Sequence, residues 1–216
     1  MSDPRQIAPF ETDPTTNLGP GAVILGGFAL AELHDLLSGV RAVAAAAPFR
    51  HLITPGGQPM SAAITNCGPL GWVSDRHGYR YQAIDPDGGA PWPFMPPGFA
   101  RLASRAAQAA GYADFTPDAC LVNRYGPGAR MGLHQDLDER DLGAPIVSVS
   151  LGLPATFLWG GTARGGRVKR VPLLSGDVVV WGGPTRLIFH GIDPIKGGEH
   201  PMTGPLRYNL TFRRAG

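Results

Sequence analysis

From Cys120 to the C-terminus, short apolar runs alternate with turn residues. Runs at 120–125, 146–151, 155–159, 168–173, 177–181, 186–190 and 207–213 have the length and composition of strands and are separated by Gly, Pro and short polar segments. Upstream, two segments read as helices, the first from its period and the second from its ends. Between Ala29 and Ala47, Leu33, Leu36, Leu37, Val40 and Val43 recur on one side, and Pro48 stops the run. Pro96 to Ala110 opens on proline and is followed by Gly111, the usual punctuation of a helix. Segment 49–95 reads as short strands and turns. Residues 1–20 are polar, Pro-rich and aperiodic and read as a flexible N-terminal arm. The pattern predicts a mainly β protein with flanking helices. Its core is a double-stranded β-helix (jelly roll), with the two helices covering one sheet. Residues 21–216 then form a single domain, with helices and short strands at 21–119 and the jelly-roll core at 120–216.

The most informative run is the last one. In Arg207-Tyr-Asn-Leu-Thr-Phe-Arg213, alternation puts Arg207, Asn209, Thr211 and Arg213 on one face and Tyr208, Leu210 and Phe212 on the other. Such a strand is either half-exposed with its arginines in water, or it turns a polar face into a small barrel. In the second case guanidinium forks are placed to hold carboxylates. Six residues of straight strand span about 20 Å, so one arginine reaches a small acid more readily than two.

Composition changes little in this picture. The chain has 216 residues with 31 Gly and 22 Pro, and these punctuate the runs instead of clustering as in a disordered segment. Cys67 and Cys120 lie in apolar surroundings and are expected as packed, reduced thiols. No stretch is long enough to span a bilayer and no basic-then-apolar leader opens the chain, so a cytoplasmic, monomeric protein without a membrane partner is expected. The net charge of +2 is unevenly placed: residues 1–155 hold 10 Lys/Arg against 14 Asp/Glu, and 156–216 hold 9 against 3. Arg164, Arg167, Lys169 and Arg170 crowd one stretch, either a solvated turn or a surface for phosphates.

His134-Gln-Asp136 and a distant His190 supply the ligand types of a 2-His-1-carboxylate facial triad, which leaves open positions on Fe(II). In a chain with 6 His, a His-x-Asp pair arises by chance often enough to carry no weight alone. Order and context add weight. On an extended segment His134 and Asp136 point to one face. The run Arg186-Leu-Ile-Phe reads as a short strand that brings His190 back to them.

Together these pieces resemble the AlkB family of Fe(II)- and 2-oxoglutarate-dependent dioxygenases, which oxidatively dealkylate nucleic-acid bases. The likeness runs from about Gly21 to the C-terminus. It includes Thr65-Asn-Cys-Gly, Gly71-Trp72, Gly78-Tyr-Arg-Tyr81, the run from Pro117 through Asn123-Arg-Tyr125, Pro145-Ile-Val-Ser-Val-Ser and Gly176-Asp-Val-Val-Val-Trp181. The resemblance implies that His134, Asp136 and His190 ligate iron and form the catalytic centre. It implies that Asn123, Tyr125, Arg207, Asn209 and Arg213 hold 2-oxoglutarate, with Arg207 at the distal carboxylate and Arg213 nearer the metal. O2 is the second co-substrate. Trp72 is similar to the family's base-stacking residue, Tyr79, Arg80 and Tyr81 lie in its nucleotide-contacting segment, Asp138 matches an acid near the exocyclic amino group, and Arg164 a substrate-side arginine. Strands within 21–119 then serve nucleotide recognition. The implied reaction removes alkyl groups from bases such as 1-methyladenine and 3-methylcytosine in DNA, single strands preferred, or in RNA. It releases aldehyde, succinate and CO2. The glycine-rich Arg164-Gly-Gly-Arg167 and the Met131-Gly132 pair depart from the family pattern. From the residues alone, a hydroxylase of a protein or small molecule, a non-catalytic jelly-roll module and a zinc hydrolase with the same ligands remain alternatives.

Overall fold

The computed structural model describes residues 15–216. In chain order its strands begin with β1 (Thr15–Gly19) and β2 (Ala22–Leu25), followed by helix α1 (Leu33–Ala46). Next come β3 (Ala63–Cys67), the hairpin β4 (Gly71–Asp75) and β5 (Gly78–Gln82), and helix α2 (Pro97–Ala109). The C-terminal half contains β6 (Ala119–Tyr125), β7 (Met131–His134), β8 (Ile146–Gly152), β9 (Ala155–Trp159), β10 (Lys169–Leu173), β11 (Val178–Trp181), β12 (His190–Ile192) and β13 (Arg207–Arg213).

Seven strands form one sheet in the order β1-β2-β11-β8-β13-β6-β3, and four form a second in the order β10-β9-β12-β7. All strand pairings within these two sheets are antiparallel. Each central strand of the large sheet is buried on both sides and divides its residues between two cores. Leu25, Val122, Val147, Val149, Val178, Val180, Leu210 and Phe212 pack with Leu36, Val40, Phe99 and Leu102 of the helices. The alternate residues Ile24, Tyr125, Ile146, Val179 and Trp181 face the small sheet and meet Phe157, Trp159, Leu173 and Ile192. The result is a double-stranded β-helix with both helices on the outside of the large sheet, the architecture that the run spacing predicts.

Both helices lie where the periodicity puts them. Leu36, Leu37, Val40 and Val43 are the buried stripe of α1, and a short 3₁₀ turn, Leu30–Glu32, precedes it. Gly39 lets α2 approach closely, since a Cβ there would lie 2.6 Å from the Phe99 ring. Phe99 meets Phe212 edge-on, with centroids 6.0 Å apart, and so fastens α2 to β13. Cys67 and Cys120 are directly opposed across β3 and β6, buried and unbridged.

Several expectations need correction. Of the arm expected at 1–20, residues 1–14 lie outside the described residues, and Thr15–Gly19 is a strand paired with β2. Leu18 explains the pairing: it is buried between the sheets, and its carbonyl accepts from the Trp159 indole at 3.1 Å. No strand spans 186–190. The 3₁₀ turn Gly183–Thr185 leads into a bent segment, and the strand begins at His190 and runs on to Ile192. The guanidinium of Arg186 turns inward to backbone carbonyls and an acid, which an extended strand there would not allow. Strand β7 has no counterpart among the expected runs, because Gly132 and half-exposed neighbours mask it.

Replacing Phe99 by Ala should remove about 3–5 kcal/mol of unfolding free energy, the usual cost of a large cavity. Urea unfolding at unchanged m-value measures it, and a loss under about 1 kcal/mol would show that this ring does not anchor α2.

Candidate active site

His134 ends β7, His190 opens β12, and the two are direct cross-strand partners. Their rings lie side by side, 4.4 Å between centroids. His134 Nε2 is 3.7 Å from Asp136 Oδ1, and His190 Nε2 is 3.8 Å from Asp136 Oδ2. Three ligand atoms, one from each residue, lie within 4.8 Å of one another. The other ring nitrogens are committed to carbonyls, Nδ1 of His134 to Gly132 at 2.9 Å and Nδ1 of His190 to Ile188 at 3.1 Å. A carbonyl only accepts, so each Nδ1 carries the proton and each Nε2 presents a lone pair. Burial, followed by the nearby His134, pushes His190 down to about 4, which keeps it neutral at physiological pH.

Asp136 is held by Arg213, whose Nη2 and Nε donate to Oδ2 at 2.7 and 3.0 Å. Burial pushes this carboxyl up, but Arg213 and the two histidines outweigh burial and hold it well below the usual carboxylate range. Arg213 also meets Glu139 at 3.1 Å. Glu139 in turn accepts from Arg186 at 3.0 Å, and Arg186 donates to the Asp136 carbonyl at 3.0 Å. Glu139 and Arg186 were not singled out in the sequence. A charged residue opening the apolar run Arg186-Leu-Ile-Phe was the available sign of a buried cation.

The polar face of β13 lines a pocket between the sheets, together with Asn123, Tyr125, Ser148, His134 and His190. Asn209 donates to Ser148 Oγ at 2.8 Å and Thr211 to Asn209 Oδ1 at 2.8 Å. Arg207 has 0% exposure and donates to Ser150 Oγ at 3.0 Å and to the Leu153 carbonyl at 3.5 Å. Among the described residues no carboxylate lies within ion-pair distance of it. Its Nε and the Oδ1 of Asn123 are buried without partners. Burial pushes Arg207 down to about 10, still protonated at neutral pH, and pushes the Tyr125 phenol up to about 12, so it remains a donor. A buried unpaired cation is costly and calls for an anion. A dicarboxylate reaching from the histidines to Arg207 fits this donor set, and two imidazoles with one carboxylate fit Fe(II). Because Arg213 is already bound to Asp136 and Glu139, Arg207 is the arginine with donors to spare.

The remaining sequence candidates lie around β4 and β5 and the neighbouring loops. Trp72 stacks on the half-exposed Tyr79, centroids 5.4 Å apart at 14°, and donates its indole N–H to Asp138 at 2.7 Å. Arg80 is engaged by Asp75 at 2.8 and 3.1 Å and by Gln82 at 3.0 Å. The Tyr81 hydroxyl donates to Glu139 at 2.8 Å. Arg164 lies over the Phe189 ring at 5.1 Å, one residue before the ligand His190, and borders a second cavity of about 140 Å³.

The model of the 2OG-Fe(II) oxygenase superfamily matches residues 21–213. The chain is 59% identical over 199 residues to the alpha-ketoglutarate-dependent dioxygenase AlkB of Escherichia coli strain K12, covering 92% of both chains. It is 58% identical over 198 residues to the enzyme of that name from Salmonella typhimurium, again covering 92% of both. The chain belongs to the AlkB family. Its fold superposes on the structure of OsALKBH1 with a TM-score of 0.82 at 31% identity, covering 93% of this chain and all of that one. This AlkB-family protein is a dioxygenase that uses Fe(II), 2-oxoglutarate and O2.

Substituting Arg213 by Met should cost about 3–5 kcal/mol of stability, because two buried carboxylates lose their shared cation. Chemical denaturation of the metal-free protein checks this, and a cost near zero would mean that water reaches Asp136 and Glu139.

Proposed function

We propose that this protein repairs nucleic acid by oxidative dealkylation of N-alkylated bases, 1-methyladenine and 3-methylcytosine foremost. DNA is the main substrate, RNA the alternative polymer, and single strands are preferred. The enzyme is read as a cytoplasmic monomer. The observation that carries the reading is the contact of Trp72, stacked on Tyr79, with Asp138, two residues from the metal ligand Asp136. An aromatic face and a carboxylate thus adjoin the oxidising centre. An enzyme that acts on a base must take it out of the stack and hold it against flat groups. N1-methyladenine and N3-methylcytosine are cationic, and a carboxylate favours a cation over the neutral parent base.

In this mechanism Nε2 of His134, a carboxylate oxygen of Asp136 and Nε2 of His190 would hold iron. Arg207 receives the distal carboxylate of 2-oxoglutarate, helped by the Tyr125 phenol, while Asn123 and Asn209 line the passage between. Bound iron supplies the oxidative chemistry: one oxygen atom of O2 enters succinate as CO2 leaves, the other hydroxylates the N-alkyl carbon, and the C–N bond then breaks to give aldehyde and repaired base. Arg213 keeps Asp136 ionised and fixes its orientation. Trp72 and Tyr79 offer the stacking surface, the second oxygen of Asp138 would accept from an exocyclic amino group, and Arg164 and Arg80 are read as substrate-side cations for the strand. The domain is read as 21–216, with the β4–β5 hairpin and its neighbours in 21–119 serving recognition.

With Fe(II), 2-oxoglutarate and O2, methylated single-stranded oligonucleotides should yield formaldehyde and succinate, and His134→Ala should abolish both. Arg207→Met should raise the KM for 2-oxoglutarate about 10- to 100-fold, the worth of a charged hydrogen-bonded contact. Turnover of 2-oxoglutarate that methylated DNA and RNA never stimulate would instead favour a protein or small-molecule hydroxylase.

A further inference from the structure

Tyr81 is the direct cross-strand partner of Trp72 in the β4–β5 hairpin. Both side chains end on the loop that carries Asp136, Trp72 on Asp138 and Tyr81 on Glu139. The two contacts differ in depth. The Trp72–Asp138 bond is exposed, whereas the Glu139 side chain is 2% exposed.

The chemistry around Glu139 makes the second contact more than a tether. Its Oε1 accepts from the Tyr81 hydroxyl at 2.8 Å and also faces Arg213 Nε at 3.1 Å. That same Nε donates to Asp136 Oδ2 at 3.0 Å. The Nε–H donates to the metal ligand, Glu139 attracts the same guanidinium by charge alone at 3.1 Å, and the Tyr81 hydroxyl takes up part of the Glu139 oxygen's charge. A phenol held close to Oε1 weakens the pull of Glu139 on Arg213 and leaves Arg213 to Asp136; a withdrawn phenol does the reverse. The loop does not escape this exchange by moving, because Arg186 pins both Glu139 Oε2 and the Asp136 carbonyl at 3.0 Å.

We propose that Tyr81 is a positioning residue that reports occupancy of the base site to the iron. Hairpin displacement by a base docked at Trp72 passes through the Tyr81 hydroxyl, Glu139 and Arg213 to Asp136. Oxidation of 2-oxoglutarate is thereby matched to the presence of substrate. The inference rests on the reading above that the hairpin receives the alkylated base. It also assigns the Tyr81 hydroxyl to the protein interior and not to the nucleotide.

Tyr81→Phe tests it, since this removes one oxygen and keeps the ring. In the Co(II)-substituted protein with 2-oxoglutarate, a 3-methylcytosine oligonucleotide should change the visible absorption of the metal, and the change should be at least about threefold smaller in the variant. With iron, succinate formed per formaldehyde should be near one in the unaltered protein and at least about threefold higher in the variant. Glu139→Gln, which keeps an acceptor for Tyr81 but loses the charge that attracts Arg213, should blunt the Co(II) response in the same way. An unchanged spectrum response and an unchanged ratio in Tyr81→Phe would overturn the relay. A raised KM for the oligonucleotide at an unchanged ratio would also overturn it and make Tyr81 a direct nucleic-acid contact. Absence of formaldehyde from every methylated oligonucleotide in the unaltered protein would instead sink the functional reading beneath it.

Discussion

Two carboxylates sit in the interior within reach of one guanidinium, and that arrangement constrains the whole site. Asp136 must be ionised to ligate a metal, yet burial opposes its charge. Arg213 resolves the conflict for Asp136 but brings Glu139 into the same space, and Glu139 is balanced by Arg186. The four charges cancel only together, so removing one exposes another. This explains how a loop dense in Asp and Glu is pinned at its centre while Asp138 and Asp141 on either side of Glu139 stay near solvent.

Strand β13 transmits that constraint to the fold. Its odd positions carry Arg207, Asn209, Thr211 and Arg213 into the pocket, and its even positions give Leu210 and Phe212 to the core beneath the helices. A one-residue slip against β6 or β8 would put guanidinium groups among Phe99 and Leu102 and a phenyl ring beside the metal ligands. The apolar face thus fixes the register that the chemistry needs. Packing of α2 on Phe212 and placement of Arg213 beside Asp136 are two consequences of one alignment.

Where local pattern and tertiary demand agree, the sequence was readable. The terminal run states its two faces outright, the stripe of α1 buries most of the residues its period selects, and α2 lies between the proline and glycine that bound it. Resemblance plus His-x-Asp named a triad that the fold brings within 4.8 Å. The misplaced strand at 186–190 and the unrecognised β7 share a cause: backbone course there follows long-range bonds from Arg186 and the pairing of His134 with His190, neither of which leaves a periodic trace. Glu139, Ser148 and Ser150 escaped for the same reason. Their partners Arg186, Asn209 and Arg207 lie 47, 61 and 57 residues away. The hydroxyl of Tyr81 shows the limit most clearly: the resemblance puts the residue in a nucleotide-contacting segment, but only the fold turns its polar end toward Glu139.

Charge also orders the way the site is filled. The quartet of Asp136, Glu139, Arg186 and Arg213 sums to zero, so Arg207 is the pocket's cation without a carboxylate at ion-pair distance, its charge offset only by the more distant buried Asp177. Iron adds two positive charges. A dianion is then attracted from both ends of the pocket, by the metal at one and by Arg207 at the other, and in an interior of low dielectric these attractions reinforce each other. Affinity for 2-oxoglutarate would thus rise with iron occupancy. The carboxylate of Asp138 lies outside the quartet, at the exposed end of the loop, held by the Trp72 indole.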